Sequence, residues 1–334
     1  MSHLVSSRLF FVKNIMQFFL PIVSIAIATM MLYFGAEWLV KGGSGIALRL
    51  NVSPMVIGLT LVAFATSAPE LTVSMDSAWR GLDGMALGNV IGSNICNIAL
   101  ILGLTVVVKP VSVNPVIFRL ELPLLLVSTM LLAAFSYFTG GVSRVASLVL
   151  LAMLFAFVGW NVHQARHGKP MAESEVPQVP KQLWPIWQYL LLALVGMVGL
   201  VAGGKLFVKG AVDLARLMRV SETTIGLTIV AVGTSLPELA TSLVAALKGE
   251  QDLAVGNVVG SNLFNILCIV GLTAAIYPLK VVGITTIDLM TMLTLTFLLL
   301  PMMLMDRKVG RVEGVILLLI YAGYLAVLTR NALY

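Results

Sequence analysis

GLTLVAFATSAPEL runs from Gly58 to Leu71, and GLTIVAVGTSLPEL runs from Gly226 to Leu239. The offset of 168 residues also aligns GNVIGSNICNIALILGLT, Gly88 to Thr105, with GNVVGSNLFNILCIVGLT, Gly256 to Thr273, without a gap. Shared hydrophobicity alone would produce coincidences of Leu and Val. Here it is the polar residues that coincide: Thr66, Ser67, Pro69, Glu70, Asn89, Ser93, Asn94 and Asn97 recur as Thr234, Ser235, Pro237, Glu238, Asn257, Ser261, Asn262 and Asn265. A polar pattern carried twice marks an internal duplication.

The duplicated elements are set in a chain of 334 residues that is 59% hydrophobic and 11% charged, with a mean hydropathy of +1.01. Such a composition belongs to an integral membrane protein embedded in a lipid bilayer. The apolar segment after the first charged residues has no small-residue cleavage site and reads as a retained span. The net charge of +6 is spread over short loops rather than gathered in a run, which suits headgroup anchoring and gives no support to nucleic-acid binding. Cys96 and Cys268 have no CxxC or His-rich context and read as small packing residues.

A helix needs about 20 residues to cross a ~30 Å hydrocarbon core. Apolar runs of that length fall at 15–40, 54–79, 85–108, 115–138, 142–162, 186–209, 222–247, 253–276, 284–305 and 312–330. The one extended polar stretch, His163 to Gln182, carries three prolines and mixed charges and reads as a linker. The expected fold is therefore all-α integral membrane: ten transmembrane helices as two inverted five-helix repeats, 1–162 and 186–334, joined by a polar linker, 163–185. Parity supplies the inversion. A repeat of five spans is odd, so the second copy enters the bilayer from the opposite side, as in secondary transporters. Lys and Arg are slightly more numerous on the linker side, which places the linker in the cytoplasm and both termini outside a plasma (inner) membrane.

Glu70 and Glu238 fall near the centres of their spans. An ionised carboxylate there costs at least about 2.5 kcal/mol, so each should face a protein interior with a counter-charge or a wet cavity. No duplicated basic residue lies at that depth; Lys205 and Lys209 fall near a span end, where lysine snorkels. The missing partner is a proton or a bound cation. Pro69 and Pro237 cannot donate to the carbonyls of Ala65 and Gly233, which kinks each helix and frees backbone oxygens one turn before each glutamate. Carboxylate, carbonyl, hydroxyl and amide oxygens form a hard ligand set that suits Ca2+ or Na+ and not zinc or copper.

Simpler roles fit the remaining polar and small residues. Gly88, Gly92, Gly256 and Gly260 form small-xxx-small patterns for close helix contact. Asp83 and Asp252 stand where helix caps are expected. Asp76, two turns beyond Glu70, has Val244 as its counterpart; it stands where it could line an access path, and an interface-facing aspartate is the simpler reading. No HExxH or GxSxG element points to an enzyme, and the doubled midplane elements argue against a passive channel.

With the lead-in LYFGAEWLVKG, Leu32 to Gly42, and NVSPMVIG, Asn51 to Gly58, the duplicated motifs resemble those of the sodium/calcium exchanger branch of the cation/calcium antiporter superfamily, GxTxxAxGTSxPE followed by GNxxGSNxxN. The resemblance implies a core made of the second, third, seventh and eighth spans, with the long first and sixth spans sliding across it. It implies cation ligands at Glu70 and Glu238, at hydroxyl or carbonyl oxygens of Thr66, Ser67, Ser93, Thr234, Ser235 and Ser261, at the carbonyls of Ala63 and Ala231, and at the amides of Asn97 and Asn265. Several relatives carry Asp where this chain has Asn265, so the site here holds two formal charges. The function implied is exchange of Ca2+ for Na+ by a chain that suffices as a monomer and uses no cofactor, with H+ as the alternative coupling ion.

Overall fold

In hydrocarbon every backbone N–H and C=O must find its partner within its own segment, so the apolar runs wind into helices. The computed structural model describes residues 2–167, 183–219, 231–305 and 307–332. In chain order the helices are α1 Ser2–Leu50, α2 Pro54–Thr66, α3 Ala68–Trp79, α4 Asp83–Val108, α5 Glu121–Phe138, α6 Arg144–His167, α7 Ile186–Leu217, α8 Leu236–Leu247, α9 Gln251–Ile276, α10 Thr286–Leu304 and α11 Arg311–Ala332. Among the described residues eight helices are long and apolar enough to cross a membrane, and α2 with α3, bent by 45° at one break, makes a ninth if taken as one span. The expected span 222–247 is described only from residue 231. Helices α1 and α7 outrun their expected spans, continuing to Leu50 and Leu217. Arg49 and Arg216 in their last turns suit the negative end of a helix and do not stop it.

Burial separates a core from a shell. In α4 and α9, 78% and 83% of the most apolar window is buried, against 22% in α1 and 28% in α7. The core is α2, α3, α4, α8 and α9, and large apolar side chains of the shell such as Phe19, Met30, Phe155 and Leu319 stay exposed, as a lipid-facing surface requires. Two antiparallel bridges cross between the halves: β1 Val111–Ser112 pairs with β4 Lys308–Val309, and β2 Gly141–Val142 pairs with β3 Leu279–Lys280. Each half thus supplies one strand to each bridge.

The 168-residue offset also relates the bounds of helical elements. Ala68–Trp79 matches Leu236–Leu247, and Gly103–Val108 matches Gly271–Ile276. Cys96–Leu102 and Asn265–Val270 are both wound as π-helix, as is Gly58–Val62. Such wide turns cluster at functional sites because they redirect side chains and leave carbonyls loosely paired.

One expectation about local structure changes. Asp83 and Asp252 do not cap their helices, because Leu82 and Glu250 hold the N-cap positions. Asp83 instead accepts from the backbone N–H of Lys280 at 3.2 Å, and Asp252 from the Asn114 amide at 3.3 Å, so both tie one half to the other. Gly256 and Gly260 do mark a close helix contact, since a Cβ at either would meet the backbone of α2 within 2.9 and 2.7 Å. Gly88 and Gly92 have nothing within 4 Å among the described residues; Thr223 and Leu227, the counterparts of Met55 and Leu59, lie outside them. Cys96 and Cys268 are free and buried, and Asp76 is exposed and paired with Arg80 at 2.8 Å.

Candidate functional site

Each TSxPE element breaks its helix at the serine. Ser67 has φ −83° and ψ 4°, and Ser235 has φ −89° and ψ 7°; the helix that follows carries proline in its first turn. Proline is well tolerated there, where its missing N–H is not needed. The expectation of one kinked helix with a proline in its middle is therefore replaced by two helices meeting end to end. Glu70 and Glu238 then lie in the first turns of α3 and α8, at the end where unpaired N–H groups make the helix positive. Sequence reasoning missed this second source of positive potential for the two carboxylates.

A serine at this position would ordinarily cap its own helix. Neither does so. Ser67 Oγ donates to Glu238 Oε1 at 3.0 Å, and Ser235 Oγ donates to Glu70 Oε1 at 3.3 Å. Two carboxylates 168 positions apart in sequence are thereby drawn into one buried cluster, each held by the serine that precedes the other. Among the described residues neither forms an ion pair.

Neutral oxygens fill out the cluster. Thr66 Oγ1 lies 3.3 Å from the Ala63 carbonyl, 3.2 Å from Asn257 Oδ1 and 3.4 Å from Ser261 Oγ. Thr66 and Thr234 also sit beside the carboxylates of Glu238 and Glu70. Ser93, Asn97, Ser261 and Asn265 are buried; Asn265 donates to Asn94 Oδ1 at 3.0 Å. The backbone of Ala231 occupies the place in the second element that Ala63 holds in the first. Among the described residues Glu70 Oε2, Glu238 Oε2, both amide atoms of Asn97, and Oδ1 of Asn262 and Asn265 are buried without a hydrogen-bond partner. All but Asn97 Nδ2 are acceptors, and orphaned acceptors at this density are costly unless something positive meets them.

Asn89 and Asn257 are duplicated yet were not expected in the site. Asn89 Nδ2 donates to the Glu70 carbonyl at 3.1 Å and to Ser74 Oγ at 2.9 Å; Asn257 Nδ2 donates to the Glu238 carbonyl at 3.4 Å and to Ser242 Oγ at 2.9 Å. They position the first turns that carry the glutamates. Their signal was in the sequence, because Ser74 and Ser242 share the same offset.

A cleft of about 490 Å³ opens onto the breaks, lined by Pro69 and Thr72 on one side, Thr234 and Pro237 on the other, and Lys205 and Lys209 along α7. Both lysines are exposed. Outside the core, α1 and α7 pack along each other over much of their length. Their seam is glycine: a Cβ at Gly35 or Gly196 would come within 2.9 or 2.6 Å of the other helix's backbone.

The family model for the sodium/calcium exchanger protein matches residues 20–162 and 188–330, both halves of the chain. The chain belongs to the sodium/calcium exchanger family. This exchanger-family chain is 39% identical to a candidate antiporter, CaxA of Alkalimonas amylolytica, over 310 residues covering 90% of this chain and 96% of that protein. It is 30% identical to the sodium/calcium exchanger MaX1 of Methanosarcina acetivorans over 329 residues, 88% and 94% of the two chains. A solved structure of the sodium-calcium exchanger NCX_Mj, soaked with 10 mM Na+ and 10 mM Sr2+, superposes with a TM-score of 0.78 at 30% identity, covering 92% of this chain and 98% of that one. Membership makes the chain a membrane antiporter of a family that transports Na+ and Ca2+.

Proposed function

We propose that this antiporter exports Ca2+ in exchange for Na+, and that both ions compete for one midplane site built on Glu70 and Glu238. The observation that carries this reading is the reciprocal pair of contacts, Ser67 to Glu238 and Ser235 to Glu70, beside carboxylate and amide oxygens left unpaired. Two charges balance one Ca2+, and the threonine and serine hydroxyls of 66, 67, 93, 234, 235 and 261, the carbonyls of Ala63 and Ala231, and the amides of Asn97 and Asn265 offer the further oxygens toward the six to eight that Ca2+ takes. The ten spans form two inverted repeats, 1–162 and 186–334, about the linker 163–185; α1 and α7 move as a pair across the core, exposing the site to one face at a time. The linker lies in the cytoplasm and both termini outside the plasma membrane. Both carboxylates come from one chain, so a monomer suffices.

The test is uptake of radiolabelled Ca2+ by proteoliposomes holding the purified chain. Uptake driven by an outward Na+ gradient, and absent with a pH gradient alone, is expected. The reverse pattern makes H+ the coupling ion, and flux with no counter-ion dependence makes the chain a channel.

Asn265 bears on affinity. Its Oδ1 is unpaired while its amide nitrogen donates to Asn94, so Asn265→Asp adds a third formal charge without adding bulk. The Ca2+ concentration for half-maximal exchange should fall about tenfold, the equivalent of ~1.4 kcal/mol. An unchanged or higher value in the same uptake assay places Asn265 outside the site.

A further inference from the structure

At two matched pairs of positions the halves carry different charges. Offset by 168, Glu37 on α1 corresponds to Lys205 on α7, a reversal of charge, and Lys248 after α8 corresponds to Arg80 after α3, which keeps its sign. In the structure Glu37 and Lys248 form an ion pair, and α1 packs closely against α8. The matching helices, α7 and α3, scarcely touch, and the cleft of about 490 Å³ lies between them with Lys205 on its wall. One face is closed and the matching face is open.

A closure of the open face that mirrors the closed one carries Lys205 to Arg80. Two cations repel. The first half alone, however, holds an acid one turn before Arg80: Asp76, already paired with Arg80 at 2.8 Å, where the second half has Val244. Asp76 is thus present in the copy whose incoming partner is a lysine, and missing from the copy whose incoming partner is a glutamate. The other charges nearby, Lys209 and Arg80, share the sign of Lys205 and offer it no partner.

We propose that Glu37 with Lys248 and Lys205 with Asp76 are reciprocal ion-pair clamps, each holding one face shut while the other face is open to the cation site. The proposal rests on the inverted-repeat reading of the exchanger. These four are positioning residues: they set the balance between the two conformers without touching the ion. The reversal at 37 and 205 keeps the clamps distinct, so that closing one face does not satisfy the charge left free at the other.

The test uses Thr72, an exposed cleft residue, as a reporter. In a Thr72→Cys chain reconstituted in vesicles, a membrane-impermeant maleimide reads how open the cleft is; the buried Cys96 and Cys268 set the background. Lys248→Gln releases the closed face and should slow labelling roughly two- to fivefold, while Asp76→Asn should speed it by a similar factor, each the scale of one exposed ion pair. Both should slow exchange. Lys205→Gln should act like Asp76→Asn, whereas Lys205→Glu, placed opposite Arg80 as Glu37 is placed opposite Lys248, should close the cleft and slow labelling. Labelling that moves the same way in Lys248→Gln and Asp76→Asn, or that stays at the parent rate in Lys205→Gln, overturns the clamps. Labelling is read without transport, so a parent that labels normally but does not exchange Na+ for Ca2+ overturns the proposed function and leaves the clamp test intact.

Discussion

Glu70→Gln and Glu238→Gln are each expected to abolish Na+-dependent Ca2+ uptake while leaving a folded, monodisperse protein. Glutamine keeps the size of the side chain and an oxygen that accepts from the facing serine, so the contacts of Ser235 with Glu70 and Ser67 with Glu238 survive the change. What is lost is one of the two formal charges facing the ion. At an effective dielectric near 20, a unit charge about 4 Å away contributes ~4 kcal/mol toward a monovalent ion, a lower bound for Ca2+. That converts to roughly a thousandfold in cation affinity. Uptake in proteoliposomes, together with a thermal unfolding scan with and without Ca2+, separates lost binding from lost fold: both variants should unfold near the parent temperature and lose the stabilisation Ca2+ gives the parent. Near-normal exchange in either variant contradicts a shared two-carboxylate site.

Gly260→Val should be the most damaging change away from the acids. A Cβ at Gly260 would stand 2.7 Å from the Leu59 carbonyl and 2.8 Å from the Ala63 Cβ, with Gly256 one turn earlier 2.9 Å from the Met55 carbonyl. The obstructing atoms are mostly backbone, which does not swing aside. Helices α2 and α9 have to separate, and the contacts of Thr66 with Asn257 and Ser261, at 3.2 and 3.4 Å, open with them. The expected cost is about 3 kcal/mol or more, the upper range for overpacking a close-packed contact. It should appear as poor recovery of monodisperse protein, a lowered unfolding temperature and no Ca2+-dependent shift. Gly159→Ala, with nothing within 4 Å of its added Cβ among the described residues, is the control and should behave as the parent. A Gly260→Val chain as stable as that control contradicts the tight α2–α9 contact.

Much of this site was legible because it was written twice. Glu70 and Glu238 stood out by depth and by the lack of a duplicated base, and the offset of 168 named Thr66, Ser67, Asn97 and their counterparts before any coordinates. The cross-contact of each serine with the other half's glutamate is a property of two helix breaks meeting in space, and no local pattern encodes it. The proline suggested a kink; the actual break two residues earlier depends on Ser67 and Ser235 leaving helical geometry, which is decided by tertiary packing. The π-helical turns at Cys96–Leu102 and Asn265–Val270 are likewise invisible to hydropathy, since one extra residue per turn does not change composition.

Aspartates 83 and 252 show the opposite error. Their position ahead of apolar runs matched a capping signal, but the strand bridges bring Lys280 and Asn114 within reach, and a partner from the other half took the carboxylate. Asn89 and Asn257 were counted in the duplicated set without a role, because a side chain that ties one helix to the next is indistinguishable in sequence from one that binds an ion.

The measurement that bears most directly on the two-carboxylate site is the anomalous signal of Sr2+ in crystals of the chain soaked with that ion. One peak is expected in the protein interior, contacting a carboxylate oxygen of Glu70 and one of Glu238 at near the ~2.3–2.6 Å typical of Ca2+, and vanishing as Na+ is raised. A peak bound by only one of the two glutamates, or by neither, contradicts the account.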